Sequence, residues 1–286
     1  VELTVEPDRT GRLDVDGCPI AWAAWHPVPP AAGDGPPIVL VHGASAHLGW
    51  WDAVIPRLLD DGRQVVALEL SGHGDSGRRP AYSGELWARE VLAVIEQVAG
   101  RPSLLVGHSL GGRVAVLAAA RSAALVPRLV LVDAALHAPG GPPRRRIPAR
   151  LGPRTVHPSL TAAVEAFRLR PREPVARGEL LRRVAAGAYR PQSGGWTLKA
   201  DLAVFNRIGD DELAAALAGV AQPITMVYGT MSAIVDEDGL AFLQCTHPGE
   251  TEFIAVEGHH HLTFDQAEAV AEIIRGRWAV MVSRGA

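Results

Sequence analysis

The chain has 286 residues, 48% apolar and 21% charged, with a formal net charge of −3. This suits one full core near the upper size of a single domain, and it excludes a disordered chain, a general affinity for nucleic acid and, with no apolar run near the roughly 20 residues a bilayer needs, a membrane span. Two distant cysteines, Cys18 and Cys245, are expected as buried thiols in a reducing compartment. Val1–Gly11 is neither a basic nor an apolar leader, so a cytoplasmic location is expected.

Leu3–Val5 and Ile20–Trp25 read as antiparallel edge strands. Short, β-branched apolar runs then recur at Ile38–Val41, Val65–Leu70, Ser103–Val106, Leu129–Val132, Ile224–Tyr228 and Glu252–Val256, most of them ending in Gly, Asp or His. Such near-continuous runs suit parallel strands buried on both faces. Helical patterns lie between and after them, at Glu85–Val98, Leu110–Ala120, Asp238–Gln244 and Gln266–Val282. The alternation predicts an α/β fold with an open, mostly parallel sheet flanked by helices. From 138 to 219 no good strand appears. Pro and Arg dominate first, followed by helical patterns at Leu160–Phe167, Glu179–Ala188 and Asp211–Leu217. A structureless loop of that length is improbable, so a helical lid over 138–219 is expected, with 1–137 and 220–286 forming the core domain.

Gly107-His108-Ser109-Leu110-Gly111 fits G-x-S-x-G, with a strand before it and a helix after it. The chemistry needs that setting. A sharp strand-to-helix turn exposes Oγ at the sheet edge, flanking glycines permit close chain approach, and the helix N-terminus offers free N–H groups to a developing oxyanion. Ser109 is therefore the candidate nucleophile. Val41-His42-Gly43-Ala44 follows an earlier buried strand, where a second oxyanion donor is expected. The candidate donors are the backbone N–H groups of Ala44 and Leu110.

With Leu70-Ser71-Gly72-His73-Gly74-Asp75-Ser76-Gly77 and the adjoining Gly112, these motifs resemble the lidded α/β-hydrolase family of bacterial esterases, lactonases and carbon–carbon bond hydrolases. The resemblance covers about 16–133 and 224–282 and leaves the lid unmatched. It implies an eight-stranded sheet and a Ser–His–acid triad. Dehalogenases and epoxide hydrolases of the family use an aspartate nucleophile, and Ser109 argues against those chemistries.

A serine hydroxyl needs a neighbouring base, which in this fold comes after the acid in chain order. Gly258-His259-His260-His261-Leu262 follows the last strand, and His260 is the candidate. The resemblance favours it too, because family members place an acidic residue five positions after the catalytic histidine, and Asp265 stands there. Adjacent histidine side chains diverge on a loop and no second ligand cluster is evident, so no metal is expected. His42, His73 and His108 are read first as structural.

The family usually carries its acid as Gly-x-x-Asp after the strand Ile224–Tyr228. Here Gly229-Thr230-Met231-Ser232 puts serine in that place. Asp133, at the end of Leu129–Val132, is the first candidate acid, and Asp236 is the alternative, although it also reads as a helix cap. The third option has no acid, with Ser232 or water holding His260.

Between Pro139 and Arg190 twelve Arg stand against three Glu. Such a run is read first as a solvated face and second as a surface for an acidic substrate or a carrier-bound acyl group. Trp50, Trp51 and Trp196 are candidate pocket residues. The expected activity is hydrolysis of a small-molecule carboxylic ester or lactone, with thioesters and carbon–carbon bonds as close variants and no cofactor. A non-hydrolytic cyclase, lyase or acyltransferase, motivated by the missing Gly-x-x-Asp carboxylate, is the alternative, and a catalytically weak binding protein is the third reading.

Overall fold

A computed structural model describes residues 5–26, 35–59, 63–141, 155–174, 178–205 and 207–283. Its strands are β1 (Arg9–Val15), β2 (Cys18–Trp25), β3 (Ile38–Val41), β4 (Val65–Leu68), β5 (Leu104–His108), β6 (Arg128–Val132), β7 (Tyr189–Gln192), β8 (Gly195–Leu198), β9 (Ile224–Gly229) and β10 (Thr251–Val256). The helices are α1 (Ile55–Leu58), α2 (Gly84–Val94), α3 (Leu110–Arg121), α4 (Leu160–Ala166), α5 (Gly178–Gly187), α6 (Asp210–Ala218), α7 (Glu237–Thr246), α8 (Leu262–Asp265) and α9 (Ala267–Ser283).

Eight strands form one sheet in the order β1-β2-β4-β3-β5-β6-β9-β10. β1 and β2 are antiparallel to each other and β2 to β4, and the pairings from β4 onward are parallel. The central strands are apolar throughout because both faces are covered. In β3, Val39 and Val41 enter the core under α2, α3 and α6, while Ile38 and Leu40 enter the core under α1 and α9. Strand periodicity thus splits one run between two cores.

The chain runs outward from β3 to β4, then crosses back to place β5 on the other side of β3. That reversal opens a crevice beyond the carboxyl ends of β3 and β5, where ligands of open α/β sheets bind. The β3 end leads into Gly43-Ala44 and the β5 end into Ser109.

Three expectations need correction. The first strand is Arg9–Val15, not Leu3–Val5: Val5 lies outside any strand and Leu3 outside the described residues. With four of its seven residues exposed, β1 lacks the apolar signature of a covered strand. Between β6 and β9 a hairpin, β7–β8, was not expected. Pro191 and Gly195 spoil its strand pattern, and it is held instead by a turn at Gly194 (φ 84°) and by Tyr189 and Trp196 packing around Ala163. Finally, Cys18 is buried but Cys245 is exposed. No helix among the described residues is long and apolar enough to cross a membrane.

Candidate active site

Ser109 caps the N-terminus of α3 with φ 54° and ψ −116°. A positive φ on a non-glycine residue is strained and persists only where surroundings enforce it. Here they do. The Ser109 N–H donates to the Val132 carbonyl at 3.0 Å, and its own carbonyl accepts from Gly112 N–H at 3.0 Å. The glycines of the motif allow the turn to close: a Cβ on Gly107 would lie 2.3 Å from the Gly111 carbonyl oxygen, and one on Gly111 2.3 Å from that of Val41. Ser109 is left half-buried at the sheet edge.

Leu110 is the first residue of α3, so its N–H has no acceptor within the helix. Ala44 is the second residue of a turn closed by Ala46 N–H donating to the Gly43 carbonyl at 3.2 Å, with Ser45 at φ 60°. Gly43 lies directly against the Ser109 turn, since a Cβ there would sit 3.1 Å from both Ser109 Cβ and His108 Nδ1. The Ala44 and Leu110 segments therefore flank the same small space beside Ser109.

His260 Nδ1 donates to Asp133 Oδ2 at 2.6 Å, with both side chains almost wholly buried. Asp133 has φ 47°, and its carboxylate takes two further donors: Gly229 N–H to Oδ1 at 2.8 Å and Ser232 Oγ–H to Oδ2 at 2.6 Å. Ser232 accepts in turn from the Ile234 and Val235 N–H groups at 3.0 and 3.2 Å. The histidine loop is joined to the β9 loop by Met231 N–H to Gly258 C=O at 2.9 Å. Burial moves both partners toward their neutral forms, lifting Asp133 to about 6 and lowering His260 to about 3.

Of the three options for the acid, the geometry brings Asp133 to His260. Asp236 instead caps α7, accepting from Gly239 N–H at 2.9 Å, and Ser232 braces the carboxylate rather than replacing it. Trp51 is fully buried in the core beside Ile55 and Leu58, which corrects its assignment to a pocket. Trp196 packs within the 138–219 segment, on Ala163. Trp50 bridges that segment and α8, with its ring 6.2 Å from Phe167 and 5.5 Å from Phe264. Six of the twelve Arg lie outside the described residues; of the other six, five are exposed and Arg190 is half-buried.

His42 is structural: Nδ1 donates to the Gly43 carbonyl at 2.7 Å and Nε2 accepts from Leu70 N–H at 3.1 Å, which ties two loops together. His108 and His261 behave differently. The ring of His108 lies 4.7 Å from that of His260, and the rings of His260 and His261 are 5.0 Å apart. The adjacent rings do not diverge. His108, at the end of β5, makes a third member that spacing along the chain could not reveal.

A strained serine between strand and helix, with a buried Asp–His pair alongside at the switch point of an eight-stranded sheet, defines the α/β-hydrolase class. The sequence pattern of the alpha/beta hydrolase family matches residues 38–273, and the chain belongs to that family. It is 31% identical to the esterase Rv0045c of Mycobacterium tuberculosis, over 85% of this chain and 83% of that protein. It is 28% identical to 2-(acetamidomethylene)succinate hydrolase of Mesorhizobium japonicum, over 80% and 82% of the two chains. The thioesterase domain from the curacin biosynthetic pathway shares the fold, with a TM-score of 0.76 and 24% identity over 93% and 98%. The protein is a hydrolase of the α/β type.

Proposed function

We propose that the protein hydrolyses a small-molecule carboxylic ester or lactone through an acyl-enzyme on Ser109. The observation that carries this reading is the 2.6 Å hydrogen bond from His260 to Asp133 beside the strained serine turn. With Nδ1–H committed to Asp133, the His260 lone pair is on Nε2, the form a general base requires. Ser109 Oγ attacks the carbonyl carbon, and His260 takes its proton and passes it to the leaving alcohol. The amides of Ala44 and Leu110 hold the negative oxygen. Water, deprotonated by His260, then releases the acid and restores Ser109.

The segment 138–219 serves as a lid in this reading, over a core of 1–137 and 220–286. Supporting contacts are His47 Nε2–H donating to the Val184 carbonyl at 2.8 Å and Phe167 packing on Trp50. The vacant Gly-x-x-Asp position no longer favours a non-hydrolytic reading, because Asp133 supplies the carboxylate. The names of the relatives also favour hydrolysis, an esterase and a hydrolase among them.

A panel of p-nitrophenyl esters and lactones tests the reading. Ser109→Ala and His260→Ala should each lower kcat by about 10⁴-fold or more, and the double variant should be no worse than either, because the residues act as a unit. A folded Ser109→Ala protein that keeps its turnover would overturn it.

A further inference from the structure

One nitrogen from each of His108, His260 and His261 lies within 4.8 Å of one from each of the other two, and all three residues are at most 3% exposed. Each ring donates one N–H to an oxygen. His108 Nε2–H goes to the His260 carbonyl at 3.0 Å, His260 Nδ1–H to Asp133 at 2.6 Å, and His261 Nε2–H to the Pro171 carbonyl at 3.3 Å. The nitrogens left with lone pairs are therefore His108 Nδ1, His260 Nε2 and His261 Nδ1. Two of these, on His108 and His261, are buried with no hydrogen-bond partner.

Unpaired buried acceptors are costly in a folded protein and call for an explanation. Histidine that donates its second N–H to a carboxylate or carbonyl, with a bare lone pair on the first nitrogen, is the arrangement that metal sites use to fix tautomer and ring orientation. The same Asp133 contact that prepares His260 as a base prepares it as a ligand.

We propose that His108, His260 and His261 form a site for a divalent transition-metal ion of the zinc class, and that such an ion inhibits the enzyme by occupying the base's lone pair. Three imidazoles suit Zn2+, Ni2+ or Cu2+ and not Mg2+ or Ca2+, which take oxygen ligands. Nitrogens bound to one tetrahedral Zn2+ lie roughly 3.3 Å apart, so the three rings draw together around the ion. The buried Asp133 carboxylate behind His260 offsets part of the added charge. While the ion is bound, His260 cannot accept the Ser109 proton. The inhibition rests on the hydrolase reading above, whereas the ion binding does not.

The test uses the full chain stripped of metal with a chelator. Co2+ is titrated while the visible d–d absorption is followed, and Zn2+ or Mg2+ is titrated into an ester assay. Intense low-coordination Co2+ bands should saturate at one equivalent. Zn2+ should inhibit reversibly, with EDTA restoring the rate, and Mg2+ should not. His261→Gln and His108→Gln should each raise the half-inhibiting Zn2+ concentration about 10–100-fold, judged against each variant's own metal-free rate. Unmoved Zn2+ sensitivity in a folded variant overturns the site, as does a wild-type protein that gives no such Co2+ bands. If no ester is turned over, the Co2+ titration alone decides: bands lost in His261→Gln support the site, and bands kept there refute it.

Discussion

Ser232 and His260 donate to the same carboxylate oxygen, Asp133 Oδ2, each at 2.6 Å. The serine that stands in the family's usual acid position thus touches Asp133, the residue that follows β6 and the acid of the proposed triad. A carboxylate at the end of either strand, β6 or β9, can reach one imidazole because the two strands are neighbours, with Val132 paired to Val227.

Asp133→Asn should lower kcat by about 10⁴-fold, the loss seen when a triad histidine is left in the wrong tautomer. Asp236→Asn should leave kcat unchanged, because asparagine also caps a helix. Steady-state kinetics on the two variants, with circular dichroism to establish folding, separates the candidates. Equal effects would contradict the assignment.

A carboxylate restored at position 232 should work only where Asp133 has been removed. Ser232→Asp alone sets two acids against one imidazole and should reduce activity, since close carboxylates resist joint ionisation. In the Asp133→Asn background the same change should recover at least about tenfold of the lost rate, which is modest beside the 10⁴-fold at stake. Failure to recover any activity would show that the β9 loop cannot present an acid to His260.

The pH dependence follows from burial. Asp133 is lifted to about 6. Below that value it is protonated and no longer an anion for the His260 N–H, so kcat/KM should rise through about pH 6 and level off above it. The apparent value belongs to the pair rather than to either residue. A profile flat from pH 5 to 8 in a folded protein would contradict this assignment.

Stability has its own pH window. His108, His260 and His261 are lowered by burial to about 3, and His47 and His73 to about 4, from 6.5. A folded value below the unfolded one means that the unfolded chain binds more protons in between, so stability is full above about pH 6.5 and falls toward pH 4. Asp133, Glu69 and Glu90 are shifted upward by burial and offset part of this loss. Urea midpoints measured at steps of pH should fall steadily from 6.5 to 4.

Two glycines in helices should respond oppositely to alanine. At Gly111 the new Cβ would meet the backbone of the central strand at 2.3 Å, so Gly111→Ala should destabilise by about 3 kcal/mol. At Gly276 in α9 nothing lies within 4 Å, and alanine should stabilise by up to about 1 kcal/mol. Chemical denaturation of both variants checks the pair.

The parts of this architecture that local chemistry determines were readable in the sequence. The buried strands announce themselves as β-branched runs, and Ser109 as a glycine-flanked serine between strand and helix. Asp133 could be ranked ahead of Asp236 as the candidate acid because it ends a strand, whereas its contact with His260 depends on the fold, which brings together residues 127 apart in the chain. β1 was misplaced because a half-exposed edge strand has little apolar pattern. The hairpin β7–β8 was missed because its stability comes from Tyr189 and Trp196 packing within the 138–219 segment. The histidine cluster is the clearest case of long-range information, since His108 and His260 are 152 residues apart in the chain.

The most direct test of the central claim is covalent trapping. The protein is treated with a fluorophosphonate and the modified peptide is located by mass spectrometry. One adduct on Ser109, absent in Ser109→Ala and much slowed in Asp133→Asn, is the result expected from an activated serine. A folded protein that takes no label, or takes it on another residue while Ser109→Ala still cleaves esters, would contradict the account.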